Sequence, residues 1–106
     1  MLVLVFYVPE THLEKVKNAL FDAGAGELGN YSRCCWQCRG EGQFMPGQGS
    51  VPFSGRQGEV SRTAEYRVEV VCPESAASKV RSALLSAHPY EVPAWHFIET
   101  ANAVYE

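Results

Sequence analysis

The sequence predicts an α+β domain of ferredoxin-like type: a β-α-β unit written twice, folded as one antiparallel sheet with both helices on one face. Three observations carry this. Sliding the chain by 64 places lays Val8 to Gly24 over Cys72 to His88, with Pro, Glu, Lys, Val, Ala, Leu and Ala coinciding, seven identities in seventeen positions. Each repeat opens on an apolar run with the two-residue alternation of a strand, and each continues into a pattern of helical spacing. Two equivalent units with right-handed crossovers pack most simply as a four-stranded sheet under two helices.

In the first strand Leu4, Phe6 and Val8 alternate with Val3, Val5 and Tyr7, and in the third Val68, Val70 and Cys72 alternate with Glu65, Arg67 and Glu69. The charged set leaves one face of the third strand wet. A proline stops each strand, and Thr11 with Glu14 has the spacing of a capping box at the first helix start. Leu13, Val16, Leu20 and Ala23 line one helix, and Ala76, Val80, Ala83, Leu84 and Ala87 line the other. Gly24 and Gly26 terminate the first helix through left-handed backbone, and Pro89 terminates the second. Strands are expected at Leu28 to Cys38 and Ala94 to Thr100. The expected core is Leu4, Phe6, Val8, Leu13, Val16, Leu20, Val68, Val70, Val80 and Leu84.

Between the units, Arg39 to Arg62 holds six of the nine glycines. It is too long for a tight turn. The pattern at Glu41 to Met45 suggests that the second strand turns back there in a short hairpin arm before a Gly-rich loop. The expected domain covers residues 1–100, with a loose tail at 101–106.

Length and charge bound the function. The 106 residues, 46% hydrophobic, suit one domain, and a net charge of -3 without a basic run speaks against nucleic-acid binding. The apolar stretch Met1 to Val8 is too short to cross a bilayer and has no charged leader, so a cytoplasmic protein without membrane contact is expected. Cys34, Cys35 and Cys38 are too crowded for a disulfide framework and read as reduced thiols, packed alternately on the two faces of a strand.

The fragments FYVPETHLEKV, AGAGELGNYSRCCW, GEGQFMPGQGSVPFSG and HPYEVPAW together resemble the inserted central domain of the Nif-three-like (YqfO-like) family, over Met1 to Thr100 and as a stand-alone copy. The resemblance implies a PII-like or CutA-like ferredoxin fold. It also implies that the two-metal scaffold of the larger family members, whose ligands lie in flanking segments, is not carried by these residues, so its hydrolase-like or cyclohydrolase-like activity does not transfer. Two departures from the family's HPYEEPAYD pattern are Val92 in place of the second acidic residue, and Trp95 with His96 in place of Tyr-Asp.

Four site readings follow. The path of a ferredoxin-like chain brings His12, Cys38 and His88 toward one edge of the sheet, and imidazole with thiolate suits zinc or copper, although no close-spaced ligand motif is present. The Cys35–Cys38 spacing is that of redox motifs but lies in an expected strand rather than at a helix start. The glycine-rich loop, with Gly40, Gly42, Phe44, Gly49, Gly55 and Gly58, together with Tyr90 and Glu91, is the candidate small-ligand site. HPYEVPAW reads as a rigid turn aiming Tyr90 and Trp95. The expected function is a non-enzymatic module binding a small ligand or metal and regulating a partner, assembled as a homotrimer, which the resemblance to PII and CutA implies. The alternatives are a small enzyme using His88, Glu91 and Cys38, or a purely structural interaction protein.

Overall fold

The computed structural model describes residues 1–101; the tail expected at 101–106 lies outside the described residues apart from Ala101. The chain runs β1 (Leu2–Pro9), a 3-10 turn, α1 (Leu13–Asp22), β2 (Trp36–Phe44), β3 (Ser61–Cys72), a second 3-10 turn, α2 (Ala77–Ala87) and β4 (Trp95–Glu99). The sheet order is β2-β3-β1-β4 and every neighbour is antiparallel. The two repeats therefore interleave, each contributing one central and one edge strand.

One sheet face and both helices form the core. Leu4, Phe6, Val8, Val68, Val70 and Cys72 meet Leu13, Val16 and Leu20 of α1 and Val80 and Leu84 of α2. All ten expected core residues are buried. Gly24 and Gly26 take φ of +110° and +83°, as the helix stop requires. Among the described residues no helix lies over the opposite face. Register places Val3, Val5 and Tyr7 there with Val71, Glu69 and Arg67, flanked by Trp36 and Cys38 on one side and His96 and Ile98 on the other.

Four expectations need correction. The strand expected at Leu28 to Cys38 starts only at Trp36. Residues 28–35 instead form a loop closed by the Leu28–Tyr31 bridge and tied back by Cys34 N–H to the Gly26 carbonyl. Cys34 and Cys35 thus precede the strand and do not sit on alternate faces of it. Packing does not explain the group either, because Cys35 and Cys38 are exposed and only Cys72 is fully buried. Second, β2 does not turn back at Glu41 to Met45. It runs straight through, pairing Gly40 with Glu65, Glu41 with Ala64 and Phe44 with Ser61, so the arm is one long β2-β3 hairpin and the loop shrinks to residues 45–60. Third, the capping box does not form: Thr11 lies in the 3-10 turn with its hydroxyl 2.8 Å from His12 Nδ1, and Glu14 pairs with Lys17. Fourth, Ala76 belongs to the second 3-10 turn rather than to α2.

Candidate functional site

A cavity of about 280 Å³ opens where the uncovered sheet face meets the glycine-rich loop. Its floor is Tyr7 of β1, Phe44 of β2 and Glu65 of β3, three residues placed on one face by strand alternation. Its walls are Pro46, Pro52 and Phe53 from the loop and Tyr90, Glu91 and Val92 from the α2-β4 turn. The loop is closed at its base by Gly58 N–H donating to the Pro46 carbonyl at 2.8 Å, and Pro46 is buried.

Hydrogen bonds fix the polar groups. Tyr90 Oη donates to Glu65 Oε2 at 2.6 Å, and the Val51 amide donates to Glu91 Oε1 at 3.1 Å. Burial, reinforced by the acceptor Glu65, pushes the Tyr90 phenol well above its usual range, so it stays a donor. A β-carbon on Gly42 would overlap the Glu65 carboxylate, so this glycine makes the room in which Glu65 lies. Phe44 and Phe53 approach the Tyr90 ring at centroid distances of 6.3 and 6.2 Å.

His88 holds the turn from below. It is 6% exposed, its Nε2 donates to the Tyr7 carbonyl at 2.6 Å, and its Nδ1 accepts the Tyr90 amide at 3.2 Å. Only a neutral imidazole with the proton on Nε2 satisfies both bonds. Burial correspondingly pulls its pKa below the ordinary 6.5, against the opposing pull of the Tyr7 carbonyl and the Glu65 charge.

The structure thus gathers Phe44, Tyr90 and Glu91 at the cavity, with Gly42 behind Glu65 and Gly55 packed against Ser61 Oγ and the Phe44 ring. Gly40 borders a shallower groove along β2, and Gly49 and Gly58 are positive-φ turn residues facing open space. His12 reaches the rim, its ring 5.3 Å from Phe53. Cys38 lies apart, paired with Arg67 on the uncovered face. Among the described residues no group of three His, Cys, Asp or Glu is arranged to hold a metal ion, His12, Cys38 and His88 included. His88, Glu91 and Cys38 likewise each hydrogen-bond elsewhere, Cys38 to the Arg39 carbonyl. Tyr7 and Glu65 of the floor, with Pro46, Pro52, Phe53 and Val92 of the walls, are site residues that sequence reasoning missed. Glu65 read as one of three wet-face charges, and nothing in its spacing marked it as facing Tyr90, 25 residues away.

No family model matches the chain. A GTP cyclohydrolase 1 type 2 homolog of Mycobacterium leprae is 52% identical over 91 residues, covering 86% of this chain and 24% of that protein. Among solved structures, a Bacillus cereus protein related to NIF3 superposes with TM-score 0.81 and 40% identity, over 95% of this chain and 26% of that one. The PII-like protein CutA from Nostoc superposes with TM-score 0.68 at 17% identity, over 96% of this chain and 83% of that one, a likeness of fold alone. The chain spans about a quarter of the length of the curated relatives it matches. Among the described residues no helix is long and apolar enough to cross a membrane.

Proposed function

The chain belongs to the NIF3/GTP cyclohydrolase 1 type 2 homolog family, as the counterpart of one CutA-like segment of it, and from that premise we propose an oligomeric ligand-binding module rather than a catalytic unit. Residues 1–100 act as one unit that joins copies of itself through the uncovered sheet face and holds a small ligand in the cavity at the end of that face. Such a module regulates by coupling occupancy of the cavity to the order of the loop that walls it.

The observation that carries this reading is the uncovered face itself. Trp36 is 57% and Ile98 44% exposed beside Val3, and among the described residues no helix lies over them. Both edge strands, β2 and β4, flank this face. Edges without a guard pair with other strands. Covering about 400 Å² of apolar surface per copy favours association by about 10 kcal/mol before ordering costs. A closed three-fold ring satisfies both edges in every copy, in keeping with the CutA-like fold. Against a catalytic role, both ring nitrogens of His88 and one oxygen of Glu91 are engaged in holding the turn and the loop, and among the described residues no activated nucleophile lies beside them.

Light scattering at micromolar concentration tests the assembly. A mass near three chains is expected, falling toward one chain in Trp36→Lys, which places a charge on the face. A clean monomer for the unmodified chain overturns the assembly.

A further inference from the structure

We propose that the cavity takes an organic cation, an ammonium or amidinium group carried on a flat apolar body, and discriminates against phosphate and carboxylate ligands. This rests on the reading of the cavity as a ligand site and deepens it by naming the ligand's chemistry.

Three features point the same way. The first is charge. Glu65 and Glu91 both line the cavity, and no Lys, Arg or His is among its lining residues. The guanidinium on the sheet face, Arg67, stands at the edge of the floor, donating from Nη1 to Tyr7 Oη at 3.5 Å, and is already paired through Nε with Glu69 Oε2 at 3.5 Å. An anion entering here meets two carboxylates, and the one guanidinium at the floor's edge is already paired with Glu69, so the anion would leave water without a free partner, which is strongly unfavourable for a charged group.

The second feature is unused acceptor capacity. Tyr90 occupies Glu65 Oε2 and the Val51 amide occupies Glu91 Oε1, so each carboxylate is oriented by one protein donor, and a carboxylate accepts several bonds. Orientation by protein donors lowers the ordering required when a ligand N–H arrives. A group with two or three N–H donors, as in an ammonium or amidinium, matches two carboxylates. A lone hydroxyl does not.

The third is the aromatic wall. Tyr7, Phe44, Phe53 and Tyr90 line the same space, with Phe44 and Phe53 tilted toward Tyr90 at 46° and 48°. Ring faces attract a cation within about 6 Å and gain strength where water is excluded. They also accept a flat apolar body, which Pro46 and Pro52 complete. The volume, about 280 Å³, suits one ring with a short arm.

The test uses benzylamine as the probe in chelator-treated buffer, with benzyl alcohol and benzoate as neutral and anionic matches of the same shape and ATP as a phosphate ligand. Calorimetry is read together with amide NMR shifts at Val51 and Tyr90. Benzylamine is expected to bind at least tenfold more tightly than any of the other three and to move both amides. Glu65→Gln and Phe53→Ala should each weaken it at least threefold, and Phe53→Ala, in an exposed loop, guards against an effect of misfolding. Equal or tighter binding of benzoate or ATP, no benzylamine binding, or benzylamine binding that both variants leave unchanged overturns the proposal. Light scattering on the same samples separates the two readings. A trimer that binds no cation loses this proposal alone, and a monomer that binds benzylamine loses the assembly alone.

Discussion

Gly42→Ala is the perturbation that most directly interrogates the site. Gly40 and Gly42 lie two residues apart on the same face of β2, yet a β-carbon at Gly40 meets nothing within 4 Å while one at Gly42 overlaps the Glu65 carboxylate. The Glu65 side chain is flexible enough to swing aside, so the strand survives, but its 2.6 Å bond from Tyr90 Oη does not. A hydrogen bond to a charged group contributes about 1.5–3 kcal/mol, nearer the lower figure for two half-buried partners. Replacing glycine by alanine within a strand returns about 0.5–1 kcal/mol. The net expectation is a loss of about 0.5–1.5 kcal/mol, which for a chain of this length lowers Tm by about 2–7 °C. Gly40→Ala should be neutral or slightly stabilising. Thermal unfolding at one fixed protein concentration measures both, and the Tyr90→Phe background closes a double-mutant cycle. The Tyr90 phenol, relieved of Glu65, should also ionise at lower pH in Gly42→Ala, read by tyrosinate absorbance. If Gly42→Ala proves as benign as Gly40→Ala, or is equally damaging with Tyr90 already replaced, the account of Glu65 as a group held by Tyr90 in space made by Gly42 is wrong.

Two further perturbations address the core and the turn. Leu20 is fully buried between sheet and helices, so Leu20→Ala should destabilise by about 2–5 kcal/mol in denaturant unfolding, and a loss well under 1 kcal/mol would place α1 outward. His88 has a native pKa below 6.5, so the unfolded chain binds its proton first as pH falls. Its contribution is therefore complete above 6.5, declines as pH falls from there, and is gone below the native pKa. The difference in stability between the parent and His88→Gln should shrink over that interval, and a difference that grows on acidification would contradict the neutral Nε2–H assignment.

Local chemistry made much of this molecule legible in its linear sequence. Strand alternation assigned Leu4, Phe6 and Val8 to one face and Val3, Val5 and Tyr7 to the other, because the side-chain period of a strand is two whatever packs on it. Helical spacing similarly selected Val16, Leu20, Val80 and Leu84, and the repeat set the order of elements. The positive φ at Gly24 and Gly26 followed from what a helix stop needs. Of the candidate ligand residues, Phe44, Tyr90 and Glu91 do line the cavity, while the glycines chosen with them do not.

Tertiary structure alone decided which of the candidate residues meet. Gly40 and Gly42 carry the composition of a loop, but β3 extends back to Ser61 and pairs with them, since backbone hydrogen bonds to a neighbouring strand outweigh the weak intrinsic preference of glycine against strands. Residues 28–35, expected as the start of a strand, close as a loop on Gly26 instead. Cys38 and His88 were placed near one edge by topology, yet register set Cys38 on the uncovered face, while His88 at the end of α2 is buried against the Tyr7 carbonyl. Glu65 acquired its partner Tyr90 because the α2-β4 turn passes over the end of β1, a contact that no local pattern encodes. Periodicity reports the environment that a residue's own element imposes on it, whereas a site depends on register and on the path of distant loops, which are settled only when the whole chain packs.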